Sequence, residues 1–155
     1  MRIIAFRPEY QILVEDAKNR VFYQNLPPMR LAMALPHYLS DWATALAEVA
    51  PGFTILCDMQ VVNQACPELL ARFRTVERLI VERGVSIVAE VHIPGLPTRR
   101  VTDEVTTSQV MPVRHFLSIW EGAQFLDDLA SAEAERKADI LPHSHSLHRL
   151  SPQRF

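Results

Sequence analysis

The 155-residue chain has only four glycines, and they are widely separated at Gly52, Gly84, Gly95 and Gly122. They form neither a GxGxxG nor a GxxxxGK spacing, so the phosphate-binding loops built on those patterns are excluded. Proline is more frequent, with 11 residues. Because proline cannot donate a backbone hydrogen bond, we expect these residues to mark the ends of helices and strands.

The chain also lacks an excess of charge and a long apolar run. Sixteen Lys and Arg oppose 18 Asp and Glu, which gives a formal net charge of −2 and no basic field for nucleic acid or anionic lipid. No apolar run approaches the roughly 18 residues of a membrane span, and the first seven residues are too short for a signal-peptide core. These features predict a cytoplasmic protein that neither inserts into membranes nor binds nucleic acid.

Cysteine is scarce as well, with two residues, Cys57 and Cys66. Their separation does not match a metal-binding motif, and a reducing compartment disfavours a disulfide, so we expect two free thiols. Three histidines near the end of the chain, His143, His145 and His148, could hold a metal weakly, but a terminal cluster has nothing to orient its rings. The sequence therefore predicts no cofactor and no physiological metal site.

Hydrophobic patterning predicts an α/β protein with a single mixed β-sheet of about four to six strands and about four helices packed on it. The predicted strands are 3–6, 10–15, 20–25, 53–58, 85–91 and 110–116, and the predicted helices begin at Ser40, Pro67, Thr98 and Ser118. Residues 29–35 fit a short strand or a helical turn equally well. Residues 1–138 are expected to form one domain, followed by a flexible tail over 139–155 that is rich in His, Ser, Pro and Arg.

Local signals support several of these elements. Asn19 can take a left-handed conformation in a hairpin turn, and Pro112 places the last strand near an edge of the sheet. Ser118 and Glu121 form a capping-box pattern. In the long helix after Pro67 the apolar residues are expected to face inward and the charged ones outward. The inward set is Leu69, Phe73, Val76 and Ile80, the outward set includes Glu77, and the last helix is expected to face inward through Ile119, Ala123, Leu126 and Ala130.

Few residues of the sequence suggest a role in catalysis or ligand binding. Asp58 ends a strand expected to be buried, at the carboxyl edge where α/β proteins commonly bind ligands. Cys66 precedes Pro67 at a predicted helix start, where the helix dipole favours a thiolate. A nucleophilic Cys66 would need a base, and His92 and His115, which lie beyond or within predicted strands, are the candidates considered. No set of residues has a spacing that indicates a catalytic site.

The order of these elements, together with three short motifs, resembles the STAS-like proteins, the superfamily of anti-sigma-factor antagonists and sulfate-transporter cytoplasmic domains. The motifs are Asn19-Arg20 opening a hairpin strand, Pro51-Gly-Phe-Thr-Ile-Leu-Cys-Asp58, and the Gly84-Val85 entry to the next strand. The closest likeness is to the small stand-alone bacterial branch, whose function is mostly unassigned. The resemblance covers about residues 10–129 and implies a mixed sheet with a regulatory loop before the long helix.

In anti-sigma-factor antagonists that loop carries an Asp-Ser pair whose serine is phosphorylated. Ala65 and Cys66 occupy the matching positions here, so the phosphoacceptor is missing. What the resemblance still implies is a loop over 59–66 that binds a partner without catalysis. The expected regulatory or partner-binding residues are Asp58, Val61, Val62, Asn63, Gln64 and Cys66.

Three functions remain open at this point. The first is a non-enzymatic STAS-like signalling module that binds an unknown protein or small ligand. The second is a carrier of a small molecule or lipid, with a pocket lined by Trp42, Phe73 and Trp120. The third is an enzyme that uses Cys66 with a histidine. A homodimer is a further hypothesis, because the predicted edge strand at 3–6 could pair with a second copy.

Overall fold

The computed structural model describes residues 1–26, 35–59, 67–92 and 111–140, with the backbone alone for residues 67–70. Six strands and three α-helices lie in these ranges. The strands are β1 (Arg2–Phe6), β2 (Tyr10–Glu15), β3 (Arg20–Asn25), β4 (Thr54–Asp58), β5 (Ile87–Val91) and β6 (Val113–Phe116), and the helices are α1 (Tyr38–Ala47), α2 (Pro67–Arg83) and α3 (Ile119–Ile140). The helix expected from Thr98 lies outside the described residues, as do nearly all of segment 29–35, the loop from residue 60 to Cys66, and residues 141–155.

All six strands form one sheet in the order β1-β2-β3-β4-β5-β6. The pairs β1–β2 and β2–β3 are antiparallel, and the remaining three are parallel. Helix α1 connects β3 to β4, and α2 connects β4 to β5, as parallel neighbours require. The predicted α/β class and mixed sheet are confirmed, and the strand that follows Pro112 lies at an edge as expected.

Alternate residues of each strand point to opposite faces of the sheet. One face, here called the α1/α2 face, carries residues such as Tyr23, Ile55 and Val88, which pack with buried residues of α1 and α2. The other, the α3 face, carries Leu56 and Ala89, which pack with buried residues of α3. Because β4 is buried on both faces, its nearly continuous apolar sequence is explained.

The hairpin between β2 and β3 depends on Asn19. Its φ of 48° lies in the left-handed region, as the sequence predicted. The Asn19 side chain also donates to the Ala50 carbonyl at 3.0 Å and accepts from the Ala50 N–H at 2.9 Å. This pair of hydrogen bonds ties the hairpin turn to the segment that leads into β4.

The start of α1 differs from the expectation. Ser40 was expected to cap the helix, but α1 begins at Tyr38, and the Ser40 hydroxyl donates to the His37 carbonyl at 3.0 Å. Extending the helix toward its N-terminus buries Tyr38 against Trp42, one turn later.

Tyr10 and Arg7 hold Asp41, whose carboxylate accepts hydrogen bonds of 2.8 to 2.9 Å from both side chains. The Arg7 guanidinium lowers the pKa of that carboxyl.

Helix α3 begins with the serine half of the expected capping box, while Glu121 bonds one residue earlier than the motif requires. The Ser118 hydroxyl accepts a hydrogen bond from the Glu121 N–H, and the Glu121 carboxylate accepts one from the Leu117 N–H. The buried Arg20 guanidinium donates to Asp127 at 2.7 Å and holds the helix on the sheet. Ala130 was expected to face inward, but it is exposed. Residues 131–140, which follow it in the helix, are exposed as well.

Strand β1 forms the other edge of the sheet, with Ile3 65% and Phe6 70% exposed. Pairing of this edge with a second copy of the chain stays a prediction. No helix in the described part of the chain has both the length and the apolar character needed to cross a membrane.

The contact between α3 and the sheet is tight at Gly122. A Cβ atom there would lie 3.0 Å from Leu56 Cδ1 and 3.5 Å from Ala89 Cβ. We expect Gly122→Val to lower the free energy of unfolding by roughly 1–3 kcal/mol through overpacking, measured by urea denaturation. Glu133→Val, an exposed position of the same helix, is the control and should change stability by about 0.5 kcal/mol or less. Equal stability of the two variants would contradict this close approach.

Candidate functional site

A cavity of about 100 Å³ lies between the α1/α2 face of the sheet and the two helices that cover it. Most of the described residues that line it are apolar or aromatic, and the exceptions among them are Cys57, Glu77 and Glu90. Its other lining residues are Tyr23, Tyr38, Trp42, Ile55, Met59, Phe73, Val76, Ile80, Val88 and Met111. An apolar cavity with a few polar groups is the usual form of a small-molecule site.

Four aromatic rings form one wall of the cavity. The ring centroids of Tyr23 and Trp42 are 5.3 Å apart, and those of Tyr38 and Phe73 are 5.4 Å apart. Burial raises the pKa of both tyrosine hydroxyls, so each remains protonated at neutral pH. The Tyr23 hydroxyl donates to Asn25, whereas the buried Trp42 Nε1 has no hydrogen-bond partner among the described residues.

The polar groups come from a row of residues that crosses the sheet. In the parallel register Tyr23 lies beside Cys57, Cys57 beside Glu90, and Glu90 beside His115. Neighbouring positions in one register point to the same face, so this row runs along the α1/α2 face. His92 follows Glu90 by two residues and therefore lies on that face as well.

Glu77 enters the cavity from α2. The sequence placed it on the solvated side of the helix, and this expectation was wrong because Glu77 is only 5% exposed. It lies four residues after Phe73 and three before Ile80, the spacing that puts helical residues on one face. Its Oε1 is buried and has no hydrogen-bond partner in the described part of the chain. Burial raises the pKa of the carboxyl to about 7, with Arg74 opposing this shift and Glu90 adding to it.

Glu90, His92 and His115 form a second polar group beside the cavity. One potential ligand atom from each residue lies within 4.8 Å of those of the other two. His92 Nε2 is 2.8 Å from Glu90 Oε1, and the two imidazole rings are 5.2 Å apart. Glu90 is 3% exposed and His92 9%, while His115 is exposed.

Cys57 occupies the row between Tyr23 and Glu90 and carries a free thiol. Burial raises the pKa of this thiol well above its usual value, and the nearby carboxylates of Glu90 and Asp58 add to the effect. The thiolate is the nucleophilic form of cysteine, so this environment disfavours a catalytic role for Cys57.

The residues expected to form a pocket do not all meet. Trp42 and Phe73 line the cavity, but Trp120 does not: it is 74% exposed in α3, on the opposite side of the sheet. Its neighbour Ile119 contacts the core instead, because consecutive helical side chains are turned by about 100°.

The residues expected to form a regulatory loop are mostly beyond the described ranges. Asp58 is buried and points to the α3 face, where its carboxylate accepts a hydrogen bond of 3.0 Å from Gln24. It thus faces away from the cavity. Val61, Val62, Asn63, Gln64 and Cys66 lie outside the described residues.

Comparison of the chain with protein-family models finds no match, and comparison with curated proteins finds no similar sequence.

The raised pKa of Glu77 predicts a pH dependence of stability. The folded-state pKa of about 7 lies above the ordinary value of 4.5, so the folded state holds this proton more tightly than the unfolded state does. The contribution to stability is therefore full below pH 4.5 and is lost as the pH rises to about 7. Since glutamine does not titrate, we expect the stability of Glu77→Gln relative to the wild type to increase between pH 4.5 and 7.

Urea denaturation of both proteins across this pH range measures the difference. Glu82→Gln, an exposed position in the same helix, is the matched control and should show a nearly constant difference from the wild type. A constant difference for Glu77→Gln as well would show that this carboxyl titrates normally.

Proposed function

We propose that the protein is a non-enzymatic binding module for a small amphipathic molecule that combines an apolar group with a protonated amine. The observation that carries this proposal is the Glu77 carboxyl, which is buried in an apolar cavity and has an oxygen without a hydrogen-bond partner in the described part of the chain. This function corresponds to the small-molecule carrier that the sequence left open.

The volume of the cavity limits the size of the ligand's apolar group. A dry cavity of roughly 150 Å³ holds a benzene molecule, so about 100 Å³ fits a chain of roughly four carbons. The ring faces of Tyr23, Trp42 and Phe73 supply the apolar contacts. A longer molecule would leave part of its length outside this cavity.

The negative charge at the cavity determines which polar group the ligand should carry. Glu77 and Glu90 both line it, and Glu77 Oε1 has no hydrogen-bond partner among the described residues, which is costly for a buried carboxylate. An ammonium group offers three donors and one positive charge. A carboxylate ligand would add a further negative charge to the same space and should be rejected.

The proposal includes a STAS-like fold. The hairpin, the parallel strands that follow and the helical crossovers occur in the order on which the resemblance was based. A signalling role through the loop up to Cys66 stays a hypothesis, as does catalysis by Cys66, because that loop lies outside the described residues.

The test is a titration of the 15N-labelled protein with n-butylamine, n-butanol and butyrate, followed by two-dimensional NMR. We expect n-butylamine to shift the signals of lining residues such as Ile55, Val76 and Val88 and to bind at least about tenfold more tightly than n-butanol, an energy difference typical of a charged hydrogen bond. Butyrate should not bind there.

The Glu77→Gln variant should bind n-butylamine and n-butanol with similar affinities, whereas the Glu82→Gln control should keep the preference for the amine. Two results would contradict the proposal. One is binding of butyrate as tight as that of the amine, and the other is an amine preference that survives in Glu77→Gln.

A further inference from the structure

We propose that Glu90, His92 and His115 form a binding site for a divalent transition-metal ion, with Zn²⁺ as the reference ion. The inference does not depend on the amine ligand, because it rests on a different set of side chains. Two imidazoles and one carboxylate are a common ligand set for zinc and related metals.

The parallel register of β5 and β6 brings the three residues together. Glu90 and His115 are register partners on neighbouring strands, and His92 lies two residues after Glu90. All three side chains therefore leave the sheet on the α1/α2 face, at the carboxyl ends of two parallel strands. This edge is where open α/β sheets generally bind ligands.

His92 provides an independent indication of a missing ligand. Both of its ring nitrogens are buried, and neither has a hydrogen-bond partner among the residues that the structure describes. Nε2 lies 2.8 Å from Glu90 Oε1, which is an ion-pair distance, but the contact does not have the geometry of a hydrogen bond. Since a buried polar atom normally has a partner, a bound ion would account for one of these two nitrogens.

The distances are close to those that coordination requires. Zinc binds nitrogen and oxygen at about 2.0–2.2 Å, so tetrahedral ligand atoms lie roughly 3.3 Å apart. The atoms of this group lie within 4.8 Å of one another, and His92 Nε2 is 2.8 Å from Glu90 Oε1. Binding of one ion would require the side chains to adjust by up to about 1.5 Å from these separations.

Three protein ligands leave a fourth tetrahedral position for water or another small ligand. Glu90 also lines the cavity, so this position would be close to it. The exposed His115 gives an ion a route to the site from solvent.

The histidines of the tail must be separated from this site in any test. His143, His145 and His148 could bind metal weakly on their own. The parent protein for the experiment is therefore the full chain in which these three residues are replaced by asparagine.

Metal-free parent protein is titrated with Co²⁺, followed by its visible absorption, and the bound Co²⁺ is then displaced with Zn²⁺. We expect one equivalent of Co²⁺ with the spectrum of a low-coordinate complex. His115→Asn in this parent should weaken Zn²⁺ binding by at least about tenfold, because even the partners of metal ligands contribute 10- to 100-fold. Since His115 is exposed, we expect the variant to remain folded, which circular dichroism verifies.

His37→Asn is the matched control, since His37 is also exposed and lies outside the cluster. It should bind Zn²⁺ as tightly as the parent. Failure of the parent to bind one equivalent, a loss below tenfold in His115→Asn, or an equal loss in His37→Asn would each overturn the proposed site.

Discussion

The parallel register of β3 to β6 is the constraint on which both candidate sites depend. It aligns Cys57, Glu90 and His115 across three strands and directs them to the α1/α2 face. A shift of one residue in β5 would turn Glu90 and His92 toward α3. It would thus disrupt both the cavity lining and the group of Glu90, His92 and His115. Hydrophobic burial fixes that register, because Val88 must reach the core under α1 and α2 while Ala89 packs under α3. The apolar residues of these strands thus determine where the polar ones lie.

The same arrangement places acidic side chains in a largely apolar cavity, where a negative charge is unfavourable. Glu77 lines a cavity whose other walls are largely apolar, and burial of its carboxyl favours the protonated form unless a positive charge is close. Arg74 offsets this effect for Glu77 only in part, since the pKa of that carboxyl is still raised. A protonated amine near Glu77 and a metal ion at Glu90 would both supply positive charge to this region.

Most of the fold could be predicted from the sequence, but of the site only Trp42 and Phe73 could be. Apolar periodicity and turn residues such as Asn19 act locally, so the strands, the sheet type and the capping box at Ser118 were accessible. The position of Glu77 was also encoded by its spacing from Phe73 and Ile80, but its charge suggested a solvated face.

The grouping of His92 with His115 required the pairing of β5 with β6, which no local pattern gives. The Glu-x-His spacing at Glu90 was the one available signal, because residues two apart in a strand share a face.

The central claim is that buried carboxyl groups in an apolar cavity recognise a positive charge. A crystal structure of the protein with n-butylamine tests it most directly. The account predicts the butyl chain against Trp42 and Phe73, with the ammonium nitrogen within about 3 Å of a Glu77 carboxylate oxygen. An amine that lies outside the cavity, or that lies inside it with its nitrogen turned away from Glu77, would contradict the claim.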